Sequence, residues 1–370
     1  MRPRSMSSKF AYPVAALFLA LALPAAGQDA ASQINAEIQR LQQSLKDRPL
    51  ADPDFPNVNS VAEGELKAAS EELNAGQMYL SLERLARIFD GLQGVRVVAD
   101  KKAATVKGGL PIFEAEWKRV STSVSARDQR VREKDWSQAP EAIRALSETA
   151  QSKPMPLLEG GRAFATTTQP KDGLFNIGEA QGEAEFAAFC ATLHLPRKAS
   201  TPLRRSLLPE LQALQERTNT AFVPPRSITL HSNFIALNST LKLAEELDAA
   251  RLYSGALYQY LEAVRQYGML DPITPDSTRQ SALKDAIAAM RKKLDSSTSD
   301  DSIAQIFVER AASQVTHADG SAPSAEDWSS AQLIMDRVLP AYSAARKPAA
   351  PLQQASGKTV EIALVRWPYT

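Results

Sequence analysis

Three histidines, His194, His231 and His317, and one cysteine, Cys190, are the residues of this chain that most often bind metals or act as nucleophiles. No H-E-x-x-H pair sets two imidazoles one turn apart on a helix, and no cysteine pair accompanies them. A zinc site would therefore need residues distant in sequence to converge, and the three read as ordinary histidines. The G-x-S-x-G turn that exposes a nucleophilic serine is absent, as is the G-x-x-x-x-G-K-[ST] phosphate cradle. Gly91-Leu92-Gln93-Gly94 and Gly160-Gly161 read as turns. Cys190 has Phe186 and Phe189 beside it in an Ala-rich stretch. A reactive thiol needs an electropositive, partly exposed setting, so a buried structural cysteine is expected. The neighbours in Glu71-Glu72 and Glu245-Glu246 point about 100° apart on a helix, too far apart to make a close catalytic pair. Asp300-Asp301 precedes a helix and suits capping and dipole compensation. These patterns assign no catalytic residue, no cofactor and no metal ligand.

The tyrosines hold more promise. Tyr253, Tyr258, Tyr260 and Tyr267 crowd one stretch. Tyr253, Tyr260 and Tyr267 recur every seven residues and share a helical stripe near Ala256 and Val264. Core packing is one role for that stripe. The other is a groove gripping an extended peptide or a partner's helix, because tyrosine offers rigid contact area with a polar tip. On that second reading Tyr253, Tyr260 and Tyr267 are the candidate partner-binding residues.

The elements that would position these groups are helical. Ile34, Ile38, Leu41 and Leu45 form an apolar stripe over about Ala30–Lys46. Pro49, Pro53 and Pro56 break the chain, and Ser60 with Glu63 has the capping-box spacing for the next helix start. A turn at Asn74-Ala75-Gly76 leads to a helix carrying Met78, Leu82, Leu85 and Phe89. Helices are further expected from Pro111 to Val124 and over Pro140–Ala150. After the proline- and glycine-bearing stretch 152–176, read as a long loop and the place for a domain boundary or a site, they resume at Ile177–Leu193, whose Ala180, Ala184, Ala187 and Ala191 allow close approach. Thr201-Pro202 opens a stretch with Leu207, Leu211 and Leu214, where Pro209 kinks or restarts the helix. Ser232–Leu247, Arg251–Tyr267, a stripe at Leu283, Ile287, Met290 and Leu294, Ile303–Ser313, and Ala325–Leu339 complete the set. Ser324 caps the last helix and Pro340 ends it. Val95–Val98, Ser227–Leu230 and Thr359–Trp367 are candidate strands, and the last alternates apolar and polar residues most clearly.

The first 27 residues have the order of a secretory leader: Arg2, Arg4 and Lys9, an apolar run from Ala11 to Leu23, then Ala25-Ala26-Gly27, with the cut before Gln28. That run is shorter than a membrane span of about 18 residues. The whole chain has 43 Lys and Arg against 42 Asp and Glu, and losing three basic residues with the leader keeps it near neutral. No nucleic-acid partner is expected from that balance. With one cysteine there is no internal disulfide, so the fold depends on buried apolar area.

Glu71 to Tyr79 can be laid on Glu245 to Tyr253 with five of nine positions identical, at an offset of 174 residues. The segment Leu252-Tyr253-Ser254-Gly255-Ala256-Leu257-Tyr258-Gln259-Tyr260-Leu261-Glu262-Ala263-Val264 resembles part of a tetratricopeptide repeat, with Tyr253, Ala256, Tyr260 and Ala263 at matching places. The likeness covers the stretch around these residues and, more faintly, Ser60–Leu92; the family's early Trp and closing Pro are missing or displaced. It implies stacked helical hairpins that bind a protein or peptide.

The expectation is an all-α fold of irregular antiparallel hairpins, a bundle or a tetratricopeptide-like solenoid, with an optional short β element at the C-terminal strand. Its regions are a signal peptide at 1–27, a helical region at 28–151, the loop at 152–176, a second helical region at 177–346, and a linker with the terminal strand at 347–370. The expected function is a non-catalytic, exported binding or scaffold protein, periplasmic or extracellular, that recognises a protein or peptide. The alternative is an extracytoplasmic enzyme acting on a cell-wall or polymeric substrate near 152–176. A third reading is a membrane-associated assembly factor, without an anchor once the leader is cut, that docks through the terminal strand.

Overall fold

The computed structural model describes residues 29–195, 203–221, 230–270, 278, 280–317 and 320–347. The expected leader, the terminal strand at 359–367 and residues 227–229 lie outside them. The fold is all-α, and no strand occurs among the described residues. Helix α1 (Ala30–Asp47) begins where the Asp29 side chain accepts the Ser32 N–H at 2.8 Å. Its stripe of Ile34, Ile38, Leu41 and Leu45 is buried, at about 1.5–3 kcal/mol of transfer free energy per side chain. Helix α2 (Val58–Asn74) starts two residues before the expected Ser60; the Ser60 hydroxyl donates to the Asn57 carbonyl instead of capping.

Helix α3 (Met78–Gly108) is the longest element, roughly 46 Å at 1.5 Å per residue. Val95, Val97 and Val98, read as a strand, lie inside it and are buried. Burial on several faces outweighs the small helix penalty of β-branched residues. Helix α4 (Leu110–Glu133) starts as expected but continues past Val124 to Glu133, and helix α5 (Glu141–Ser152) follows as expected.

The stretch 152–176 is not a loop. Helix α6 (Pro154–Thr167) and the first turn of helix α7 (Leu174–Thr192) occupy most of it, and 168–173 alone remains as turn. Pro154 and Pro156 sit in the first turn, where a missing N–H costs nothing. Pro154, Leu158, Gly161 and Ala165 recur at helical spacing and are buried. The glycines are contact points: a Cβ on Gly173 would come within 2.1 Å of the Gly161 carbonyl oxygen.

Helix α8 (Leu208–Ala221) carries Pro209 at its second position, so the proline starts the helix rather than kinking it. Helices α9 (His231–Ala249) and α10 (Tyr253–Leu270) form a hairpin, as do α11 (Gln280–Ser296) and α12 (Ser302–Val315). Helix α13 (Ala325–Leu333) opens on the expected Ser324 cap, which forms a capping box with Asp327. It does not end at Pro340. A π turn at Ile334–Val338 leads straight into helix α14 (Leu339–Ala345), with Pro340 in that helix's first turn. The wider π turn accommodates a ring that would clash with the carbonyl four residues back.

The two turns that look alike in sequence also share a shape, one residue out of register. Gly76 has φ +70° and Arg251 has φ +61°, an offset of 175 instead of 174. The Gln77 N–H donates to the Glu72 carbonyl at 2.8 Å, and the Leu252 N–H to the Leu247 carbonyl at 2.9 Å. Ile287 is buried on α11, as its stripe implies. A smaller apolar core, with Phe113, Leu158, Leu174 and Ile177, lies under the second half of α3, α4, α6 and α7. The larger one joins the remaining helices. Helices α3 and α7 approach most closely: a Cβ on Gly178 would be 2.3 Å from the Gln93 carbonyl oxygen, and one on Gly182 2.2 Å from that of Phe89. Close approach was expected of the α7 alanines; these two glycines make it.

Candidate functional site

Two members of the tyrosine stripe, Tyr260 and Tyr267, pack in or against the core. Tyr260 is buried, and Tyr253 and Tyr267 are half-buried. Tyr258, on another face of α10, belongs to a polar network: its hydroxyl donates to Glu83 of α3 at 2.7 Å. Arg310 of α12 lies between Glu83 and Glu262 of α10, 2.7 Å from the latter, and Arg265 pairs with Glu262 at 2.5 Å. Burial by itself would push the Glu262 carboxyl up; Arg310 and Arg265 override it and hold the group well below the usual carboxylate range. The network ties α3, α10 and α12 together.

Buried side chains from neighbouring elements also hold the starts of several helices. Glu309 of α12 accepts the Leu80 N–H at the start of α3 at 2.9 Å. Asp300 accepts the Glu141 N–H at 2.8 Å, and the Ser302 hydroxyl accepts the Ala142 N–H at 2.9 Å, at the start of α5. Glu148 of α5 accepts the Gly255 N–H of α10 at 2.7 Å, and Asp248 of α9 accepts the Leu207 N–H before α8 at 2.7 Å. A helix start presents N–H groups without intrahelical partners, and each of these side-chain oxygens supplies an acceptor. Asp300 was expected to cap its own helix; its Oδ1 atom accepts the Ser302 N–H at the start of α12 at 3.2 Å, and its Oδ2 atom serves α5 as well.

A third cluster sits where α3, α6 and α7 meet. Asp90 lies on α3, Lys153 between α5 and α6, and Glu179 and Glu183 one turn apart on α7. Lys153 Nζ is 2.5 Å from Glu183 Oε1. Burial, with Asp90 close by, pushes both Glu179 and Glu183 up to about 7. Nothing in the spacing of these four residues announces the cluster. Glu179 and Glu183 share their helix with Asn176, Gln181 and Glu185, so no sequence signal sets them apart.

Cys190 is fully buried, and burial pushes its thiol far above the ordinary value, as suits a structural cysteine. His317 Nδ1 lies 2.7 Å from the Ser321 hydroxyl, with Nε2 3.5 Å from Asp327. Among the described residues no group of three or more His, Cys, Asp or Glu side chains is placed to hold a metal ion. None of the described helices is long and apolar enough to cross a membrane.

Two open concavities combine polar and apolar lining. One of about 330 Å³ lies at the far end of α10, walled by α10, α12 and α13. Arg265, Gln314, Glu326, Asp327 and Ser330 line it, with Met269, Gly268 and Leu333 as apolar surface. A second, of about 280 Å³, is lined by Trp136, Arg144, Arg204, Glu141 and Asp300. The chain matches no family model, no curated protein and no solved structure. The site is therefore argued from its own geometry. In the second concavity Glu141 and Asp300 are already engaged, Glu141 by the Leu203 N–H and by Arg346, and Asp300 by the N–H of Glu141. In the first, Arg265 is held by Glu262, Gln314 donates to Ser330 and Asp327 caps α13, but Met269, beside Arg265, is 36% exposed and adds apolar contact area. That cleft is the candidate binding site.

Proposed function

We propose that this chain is a non-catalytic helical scaffold that holds an extended peptide or protein segment in the cleft at the end of α10. The observation that carries the reading is the composition of the cleft. Hydrogen-bonding side chains of both signs line an open trough over an apolar floor, which suits peptide main chain with an occasional apolar side chain. Two further features support it. Ala256 and Ala263, part of the phrase that resembles a tetratricopeptide hairpin, are fully buried in the α9–α10 hairpin. The near-neutral charge gives no electrostatic reason for a nucleic-acid partner. The charged, apolar and small-residue order of residues 1–27 supports export to a periplasmic or extracellular location.

The test is selection of binders from a displayed random peptide library on the leader-free chain, repeated with Met269→Arg and Ser330→Arg, which fill the cleft. Peptides that bind the parent and lose affinity at least about tenfold on both variants, equivalent to 1.4 kcal/mol, support the reading. Peptides that bind parent and variants equally remove it. The enzyme alternative draws on one observation, Lys153 beside two near-neutral carboxylates at the head of the 152–176 segment. Hydrolysis of a cell-wall polymer by the parent, lost in Lys153→Met, would favour it.

A further inference from the structure

The charges that wall the cleft at the end of α10 do not balance. Arg265 brings a positive charge to the wall, and that charge is already answered. Glu83, Glu262, Arg265 and Arg310 form a set of two carboxylates and two guanidiniums, with Arg310 between both acids and Arg265 2.5 Å from Glu262. What remains on the wall is acidic. Glu326 is exposed and pairs with no cation among the described residues. Asp327 uses its Oδ2 atom for the Ser324 cap, with His317 Nε2 3.5 Å from the same oxygen, which leaves Oδ1 open. Lys284 of α11 lies over the Trp328 ring, 5.4 Å from its centroid. Trp328 follows Glu326 by two residues, so it points to the opposite side of α13.

The hydrogen-bonding groups lean the same way. Gln314 gives its amide N–H to the Ser330 hydroxyl at 2.8 Å, while its buried Oε1 atom accepts nothing among the described residues and adds to the negative potential of that wall. The floor is apolar. Met269 is 36% exposed, and Leu333 packs so closely on α10 that a Cβ on Gly268 would come within 2.1 Å of its Cδ1 atom.

We propose that the segment held in this cleft is basic: a lysine or arginine side chain of a partner protein lies in it, with its methylene stem over Met269 and Leu333 and its charged head at Glu326 and Asp327. The inference rests on the peptide-cleft reading and names the chemistry of the peptide. A long basic side chain buries an apolar stem while its head stays hydrated, which suits an open cleft with an apolar floor and acidic rim. Its head is all donor and no acceptor, matching carboxylate oxygens that lack donors. Asn233 of α9, at the same cleft, offers a donor and an acceptor to the peptide's own amide. An acidic side chain would meet like charge, and a neutral one would gain only the floor.

Methyl NMR of the purified chain, labelled at the methionine methyls and read at Met269, tests it. The probes are three capped pentapeptides, alanine throughout except for a central lysine, norleucine or glutamate. Norleucine keeps the stem and removes the charge. The lysine peptide should bind at least about tenfold more tightly than the norleucine peptide at low salt, and the glutamate peptide more weakly than either. Added salt should shrink the lysine advantage. In Glu326→Gln, a change at an exposed position in the first turn of α13, the advantage should fall to about threefold or less. Lysine and norleucine peptides that bind the parent equally overturn this inference and leave the peptide cleft standing. An undiminished lysine advantage in Glu326→Gln overturns it too. A Met269 signal that none of the three peptides moves also overturns it, and the library selection then decides whether the cleft takes peptide at all.

Discussion

Glu309, fully buried on α12, accepts the backbone N–H of Leu80 at 2.9 Å, so one helix caps another more than 200 residues away in sequence. Accepting backbone N–H groups lowers a carboxyl's pKa, yet burial dominates here and pushes Glu309 up to about 8. At neutral pH the cap is the protonated acid. Glu309→Gln should keep the acceptor and cost less than about 1 kcal/mol at pH 7. Glu309→Ala leaves a cavity and an unmet donor and should cost about 3 kcal/mol. Because the folded-state value is raised, the parent loses stability as pH rises through about 8, and Glu309→Gln should flatten that limb. Urea unfolding at neutral and alkaline pH reads both effects.

Arg310 answers two carboxylates, Glu83 and Glu262, in the core. Arg310→Met should cost about 3–5 kcal/mol, because it leaves Glu83 buried with only the Tyr258 hydroxyl and takes one of two cations from Glu262. Adding Glu83→Gln should recover part of that loss. Glu262 is held low in the folded state, so its contribution is present above the ordinary carboxylate value and disappears as pH falls through the folded one. Denaturant midpoints for the parent, the single and the double variants, at pH 7, check the coupling.

Arg251 occupies a left-handed turn position that glycine fills in the matching turn at Gly76. A side chain there costs roughly 1–2 kcal/mol, offset in part by the greater unfolded-state freedom of glycine. Arg251→Gly should therefore stabilise by up to about 1 kcal/mol, while Gly76→Ala should destabilise by a similar amount. Thermal melts of the two variants should move in opposite directions.

Gly182 and Gly91 offer a matched pair in the α3–α7 region. A Cβ at Gly182 meets the Phe89 carbonyl oxygen at 2.2 Å, while one at Gly91 meets nothing within 4 Å. Gly182→Ala should cost about 3 kcal/mol through forced separation of the helices. Gly91→Ala should gain about 0.5–1 kcal/mol from reduced unfolded-state entropy. Equal melting temperatures for the two variants would contradict the packing described above.

The helical class, most helix positions and the buried faces of α1 and α11 were legible in the chain. Those features are local: apolar residues at Ile34, Ile38, Leu41 and Leu45, or around Ile287, repeat with the helical period and need no partner to be recognised. The 152–176 stretch was misread for the complementary reason. Pro154, Gly161 and Gly173 are loop-formers by local rule, and only the close approach of the two glycine backbones, which leaves no room for a Cβ on either, turns them into packing residues. Val95 to Val98 illustrate the same override, since burial between α7 and the core decides for helix what local preference assigns to strand. The surroundings of the candidate residues depend on the same level. Tyr253, Tyr260 and Tyr267 share a stripe that periodicity shows, but which side of it faces protein depends on α9 and the helices around it. The acids at Glu183 and Glu309 look like any helical glutamate in sequence. Their proton affinities, their capping of distant helices and their partners arise only when folding removes water from around them, because burial and pairing are properties of three-dimensional neighbours and not of spacing along the chain.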